Sequence, residues 1–429
     1  MARTRARPGR GQPPRPDVFR LPGYLAYWAA ETVSAFGSCI TTLALQIMVV
    51  TTLHGSAISV GLLNAARWLP YPLFGLLVGA MLDRRRRRPV LVATDLARAV
   101  LLGAIPALWL LGWLNIPALL GFAAVLGLMN LLNDAAAQSF LPRLAPAASL
   151  LAANARLDQG AAAAQACGPA LAGALVAGVG APLAVLVDAA TYLFSAIATA
   201  GIRAPEPVPA SAAGPRNLRR EIGEGLGWIY RHRMLAPLAV STHVWFLANS
   251  MASTLFVPFA LLRLHLGALG LGLALAAAGA MGLAGSLCAT RLGEGWGAGR
   301  AVIACRALMP LAWAIVALAP AGAGHAASLA VLAAGQALYG FGMGAENANE
   351  MGYWQAVTPD ALQGRMNATR RSINRGIIVL GAPLGGFLAD AIGYRPALWL
   401  AIAGFALAAG LLAASPFRHA RHDARSRAA

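Results

Sequence analysis

Glu31 stands inside the stretch YWAAETVSAFGS (27–38), among apolar and small residues. An isolated ionised carboxyl group is costly in such surroundings, so this group is suited to taking up and releasing a proton. Asp95 and Arg98 lie three apart in another apolar run, hence on one helical face, where Arg98 can pair with Asp95 or with Asp83. Arg67 lies ten residues into apolar text. It can face an anion there or pair with a buried acid, and the sequence leaves both open. Asp134, Asp188, Glu346, Glu350 and Asp390 are further acids embedded in apolar segments. Glu346 and Glu350 are one helical turn apart, which leads us to expect an interfacial position and pairing with Arg370 or Arg371. Asp390 and Arg395 are expected to bracket a local turn.

Other chemistry is excluded. All 34 basic residues are arginine, so the lysine of a phosphate-binding GK[ST] loop is missing. There is no CxxC and no HExxH motif, and no nucleophile or phosphate motif, so an enzyme is not expected. Cys39, Cys167, Cys288 and Cys305 lie in or beside apolar runs and read as packing residues rather than a disulfide framework. The net charge of +18 alone would suggest nucleic acid. Against that, 58% of residues are hydrophobic and 12% charged, with mean hydropathy +0.63. Soluble domains carry about 25% charge. The chain therefore reads as a polytopic membrane protein, with the bilayer rather than nucleic acid as its partner.

A helix needs about 20 apolar residues to cross the hydrocarbon core. Segments of that kind are predicted at 24–50, 57–82, 89–111, 115–139, 157–180, 182–202, 235–262, 268–290, 301–320, 326–349, 372–392 and 396–415. The stretch DRRRRR (83–88) interrupts hydrocarbon-type sequence and must be a surface turn. With that turn on the cytoplasmic side, the cytoplasmic segments are taken as 1–23, 83–89, 141–156, 203–234, 291–306, 359–375 and 416–429. Thirty of the 34 arginines fall in them, only Arg263 and Arg395 fall outside, and Arg67 and Arg98 lie within spans. The positive-inside bias thus predicts both termini in the cytoplasm. The predicted organisation is a basic tail (1–23), a six-helix half (24–202), a linker (203–234), a second six-helix half (235–415) and a short tail (416–429). In the linker, Leu218, Ile222, Leu226 and Ile229 fall at helical spacing, which predicts an amphipathic helix at the membrane surface. The halves carry a repeat at an offset of 213, from Asn154, Gly168 and Gly173 to Asn367, Gly381 and Gly386. Six-span halves repeated in parallel describe a class of secondary transporter.

On these residues the chain resembles the major facilitator superfamily, and within it the branch of enterobactin exporters and macrolide-efflux proteins. The resemblance is carried by SAFGSCITTLALQ (34–46), the run 53–102 through DRRRRR, LPRLAPAASLLAANARL (141–157), CGPALAGALV (167–176), VDAATYLFSA (187–196) and 358–390. It implies an all-α fold of twelve transmembrane helices in a bacterial cytoplasmic membrane. The implied function is proton-driven export of an amphipathic drug, macrolide or siderophore by a monomer, with no cofactor beyond the proton gradient. A metabolite importer or uniporter of the same fold, or a non-transporting sensor or scaffold, are the rival readings.

The resemblance also distributes roles. Gly79, Asp83, Arg84, Arg87 and Arg88 match the superfamily's signature after span two, where Arg86 stands in place of its second glycine. Gly79 would allow close helix approach, and Asp83, Asp95 and Arg98 would form a gating charge network. Glu31 is the first proton-coupling candidate and Asp188 the second. Gly168, Pro169 and Gly173 resemble the span-five motif of drug/proton exchangers, whereas the arginine such proteins carry in span four is missing from 115–139. The substrate cavity should lie between the halves near mid-membrane. Its candidate lining is Gln46, Arg67, Asn130, Asn133, His243, Trp245, Asn249 and Gln336.

Overall fold

The computed structural model describes residues 17–82, 85–203, 218–322 and 324–421. Asp83, Arg84 and most of the linker text before 218 lie outside the described residues. Seven helices build the first half: α1 (Tyr24–Ile47), α2 (Ala57–Trp68), α3 (Pro70–Leu82), α4 (Arg87–Leu110), α5 (Ile116–Leu144), α6 (Leu150–Val179) and α7 (Ala181–Gly201). A connecting helix α8 (Leu218–Arg231) follows. The second half comprises α9 (Leu235–Pro258), α10 (Ala268–Trp296), α11 (Ala298–Ala317), α12 (His325–Val357), α13 (Asp360–Ile392) and α14 (Tyr394–Ala413). Among the described residues, eleven helical stretches are long and apolar enough to cross a bilayer unbroken. The twelfth span is the α2–α3 pair. Pro70 has no amide hydrogen to return to Ala66, and its ring crowds that carbonyl, so the helix is interrupted at Leu69.

Several helices outrun the predicted spans. α13 starts at Asp360 rather than 372, α12 runs to Val357 rather than 349, and α6 starts at Leu150 rather than 157. Hydropathy detects only the part of a helix that hydrocarbon would cover, whereas the backbone ladder continues through polar turns. Large apolar side chains line the outside of the bundle, with Leu287 at 75% and Val100 at 72% exposed, as a lipid-facing surface requires.

The two halves repeat. A π-helical turn ends α1 at Met48–Thr52 and another ends α9 at Phe259–Arg263. Each is followed by a histidine with φ 52°, His54 and His265. The segments LHGSAISVG (53–61) and LHLGALGLG (264–272) occupy the same place in the two halves, at an offset of 211.

The core is divided by depth. At the end of the bundle where the described termini lie, each half has its own apolar cluster. One is built around Tyr24, Leu91, Phe140 and Leu144, the other around Ile229, Leu235, Trp354 and Phe417. Toward the opposite end a single cluster joins both halves, from Leu43, Val60 and Val185 to Met251, Leu271 and Phe405. The halves are therefore fused at the opposite end and separately cored at the terminal end. Helix α8 rides on the second half: Trp228 Nε1 donates to Thr358 Oγ1 at 3.3 Å, and Glu224 pairs with Arg365 at the start of α13.

Candidate functional site

A cavity of about 460 Å³ lies between the halves at mid-depth. Four of the expected residues line it: Gln46, Arg67, Trp245 and Asn249. A second inter-half cavity of about 500 Å³ adds Gln336 and Pro169. A polar layer ties the halves here, for Gln46 Nε2 donates to Asn64 Oδ1 at 3.3 Å and Asn64 Nδ2 donates across to Thr254 Oγ1 at 3.1 Å. Arg67 lines both cavities, with Nη1 donating to Thr42 Oγ1 at 2.6 Å.

Asn130 and Asn133 line neither of these cavities. They belong to a third cavity of about 260 Å³ inside the first half, together with Glu31, Asp95, Arg98, Asp134 and again Arg67. Arg98 pairs with Asp95, as the spacing predicted, and Nη1 donates to Asn130 Oδ1 at 3.0 Å. The guanidinium also covers the Tyr192 ring, 4.1 Å from its centroid. Ser195 Oγ donates to Asp95 Oδ2 at 2.7 Å, and Asn133 Nδ2 donates to Asp95 Oδ1 at 3.3 Å. Asp134 accepts from the Tyr71 hydroxyl at 2.8 Å. Asp188 lies elsewhere. It is fully buried between α1 and α7, accepts from Thr41 Oγ1 at 2.5 Å and Thr191 Oγ1 at 2.9 Å, and lines none of these three cavities. His243 is also outside the linings, held between the Tyr230 hydroxyl at 2.6 Å and Asn374 Oδ1 at 2.9 Å.

The second half holds a charge cluster that the sequence only half revealed. Arg306, 1% exposed, pairs with both Glu346 and Glu350, and also donates to Ser241 Oγ at 2.6 Å. Arg370 reaches Glu350 Oε1 at 3.4 Å, the pairing expected. The expectation of an interfacial acid pair is corrected, because Glu346 is 5% and Glu350 8% exposed and both border the central cavity. In the sequence Arg306 was counted with the cytoplasmic arginines at the edge of the predicted 301–320 span, yet α11 starts eight residues before it. Two acids on one helical face inside an apolar span were the signal that a buried cation had to lie on a neighbouring helix.

At the opposite end the halves meet through glycines. A side chain at Gly61 would strike the carbonyl of Ala382, and one at Gly272 would strike that of Pro169. Gly386 lies against Ala57 and Gly173 against Ala268 in the same way. The span-five residues Pro169 and Gly173 thus form one of two symmetry-related crossings, α6 on α10 and α13 on α2, while Gly168 packs on Cys39 of α1. Asp390 is not part of a local turn, as had been expected. It caps α2 across the boundary, accepting from Ala57 N at 3.1 Å and Ile58 N at 3.0 Å. Arg395 instead donates to the Ala319 carbonyl at 2.8 Å.

Of the signature after span two, Arg88 donates to the carbonyls of Thr199 and Ala200 at the end of α7. Arg87 Nη1 donates to the Arg85 carbonyl at 2.9 Å. Among the described residues the expected close approach at Gly79 is not found, since a side chain there would meet none of their atoms within 4 Å.

A family model described as "Transmembrane secretion effector" matches residues 12–429. A curated relative, the uncharacterised MFS-type transporter y4rN of Sinorhizobium fredii (strain NBRC 101917 / NGR234), is 26% identical over 229 residues. That match covers 53% of this chain and 56% of the relative, so it spans about half the length of each. Among solved structures, a variant of the nucleoside transporter NupG matches with TM-score 0.74 and 12% identity, over 91% of this chain and 98% of that one. A bacterial homologue of the iron transporter ferroportin, in an inward-facing state, matches with TM-score 0.73 and 14% identity, over 92% and 98%. A bacterial homologue of the human lysosomal transporter Spinster, inward-facing and unoccupied, matches with TM-score 0.70 and 14% identity, over 91% and 95%. At these identities the structural matches establish the fold.

Proposed function

The chain belongs to the transmembrane secretion effector family of major facilitator transporters, and from that premise we propose that it exports amphipathic small organic molecules by proton antiport. It is a multi-pass membrane transporter and not an enzyme. The arginine bias supports a cytoplasmic location for both termini, in a bacterial inner membrane. The separately cored end then faces the cytoplasm, and the glycine crossings close the outside.

The observation that carries this reading is the position of Arg67. It lines the inter-half cavity that would take substrate and also the polar cavity that holds Glu31. The polar cavity holding Glu31 and the central cavity therefore adjoin at Arg67, which supports coupling a proton in one to a ligand in the other. Glu31 is preferred over Asp188 because it borders a cavity, whereas Asp188 is sealed by Thr41 and Thr191. Export follows if each ligand binds one state more tightly than the other, since only differential affinity moves the equilibrium. The drugs, macrolides and siderophores handled by the resembling branch define the substrate range to screen.

Everted membrane vesicles test the reading. Vesicles acidified inside should accumulate substrate, and vesicles carrying Glu31→Gln should not. Accumulation that is indifferent to the gradient, or retained in Glu31→Gln, would remove proton antiport.

A further inference from the structure

Trp68 lies beside two arginines from opposite halves. The Arg375 guanidinium of α13 sits 3.8 Å from the Trp68 ring centroid, and that of Arg67 sits 6.0 Å from it. Both arginines line the 460 Å³ central cavity. The carboxylates in the same lining, Glu346 and Glu350, are engaged by Arg306 and Arg370. Asp134 on the first-half side is bonded by the Tyr71 hydroxyl and lines the neighbouring cavity, which Arg67 also borders together with Glu31 and Asp95. Among the described residues, neither Arg67 nor Arg375 has a carboxylate at ion-pair distance. Asp134 acts on Arg375 and Asp188 on Arg67 only through space. Two guanidiniums at mid-membrane with no ion-paired carboxylate among the described residues are costly unless an anion joins them.

We propose that Arg67 and Arg375 form an anion subsite flanking Trp68, so that the transported molecule is an organic anion with an aromatic or apolar body. The guanidinium forks match a carboxylate, phosphate or acidic phenolate, and charge-assisted hydrogen bonds to them are the strong kind. Trp245 and Phe246 in the same lining supply the surface for the apolar body. Because the two arginines belong to different halves, the bound anion bridges the halves and neutralises both cations at once. This proposal rests on the central cavity being the substrate site, and it names the class of substrate.

The test is isothermal titration of the purified full chain in a non-ionic detergent with three probes of one ring: 1-naphthoate, 1-naphthylmethanol and 1-naphthylmethylammonium. Naphthoate is expected to bind saturably, about tenfold or more tighter than the alcohol, the value of one or two hydrogen bonds to charge. Arg67→Gln and Arg375→Gln should each remove about that factor for naphthoate and leave the alcohol nearly unchanged. Arg67→Lys should recover part of it. Variants are compared only if their melting and gel-filtration profiles match the parent. Equal or tighter binding of the neutral or cationic probe, absence of saturable naphthoate binding, or glutamine variants that bind naphthoate as the parent does would each overturn the subsite. Binding in detergent needs no gradient. Vesicles that fail to accumulate substrate while naphthoate binding survives would therefore overturn export and leave the subsite standing.

Discussion

Asp390 in α13 accepts the amide hydrogen of Ala57 in α2 at 3.1 Å, so a carboxylate of one half caps a helix of the other. The second oxygen takes the next amide, of Ile58, at 3.0 Å. The first turn of a helix has unsatisfied amides and a positive dipole end, and a carboxylate answers both. The α6–α10 crossing follows the same glycine pattern as α2–α13, but position 177, which corresponds to Asp390 in the 213-residue repeat, is alanine. Only one of the two crossings therefore carries this charged cap. Asp390→Asn keeps an acceptor and loses the charge, so the closed contact should weaken by about 0.5–1 kcal/mol. Spin labels at positions 112 and 322, on loops of different halves at this end, would report a larger population of long distances. An unchanged distance distribution would mean that the cap does not hold the halves.

Three glycines make a steric prediction, of one sign at the two crossings and of the opposite sign at Gly79. A side chain at Gly61 meets the Ala382 carbonyl, and one at Gly272 meets the Pro169 carbonyl. Valine at either position should force the crossing apart, lower thermal stability and shift the 112–322 distances outward. A side chain at Gly79 meets nothing within 4 Å among the described residues. Gly79→Val should leave this state intact and obstruct whichever state packs α3 closely, trapping the distances at their short values and stopping transport. Similar behaviour of all three variants would refute the distinction.

Arg306 neutralises two buried acids at once, and removing it should be severe. Breaking a buried ion pair from one side costs about 3–5 kcal/mol, because a charge is left behind without its partner. Arg306→Gln should therefore unfold at markedly lower temperature. Adding Glu346→Gln should recover much of the loss, since one stranded carboxylate is then gone. A double variant no more stable than the single one would show that Arg306 acts through packing rather than charge.

The all-helical, multi-span membrane fold was legible in the sequence, because hydrocarbon's intolerance of charge leaves a one-dimensional signal. The Asp95–Arg98 pair was legible because both residues share one helical face. What stayed hidden depended on neighbours distant in the chain. Arg306 meets its acids on α12 forty residues later, and Arg375 meets Trp68 in the other half. The helix break at Leu69 was foreshadowed by Pro70 and Pro72 but passed over inside a long apolar run. The LHGSAISVG and LHLGALGLG repeat, offset by 211, was missed because the two halves drift by two residues relative to the 213 of the later helices. Close packing at Gly79 could not be tested by sequence at all, since it depends on which state the helices adopt.

The joint between α8 and α9 lies outside the membrane spans and should respond to acid. His232 Nδ1 accepts from Met234 N at 3.2 Å and Leu235 N at 3.3 Å, capping the start of α9. Burial holds the His232 imidazole below its ordinary value of 6.5. Only the neutral ring can accept these two bonds, because both ring nitrogens of the protonated form are donors. The folded value is depressed, so the cap contributes fully above the unfolded value near 6.5 and is lost as pH falls through the folded value below it. Hydrogen exchange at the amides of Met234 and Leu235, corrected for intrinsic rate, should therefore quicken between pH 7.5 and pH 5. Asparagine caps helices without titrating in this range, so His232→Asn should keep the protection and flatten the pH response. If the parent and His232→Asn chains respond equally to acid, the titrating group is another one.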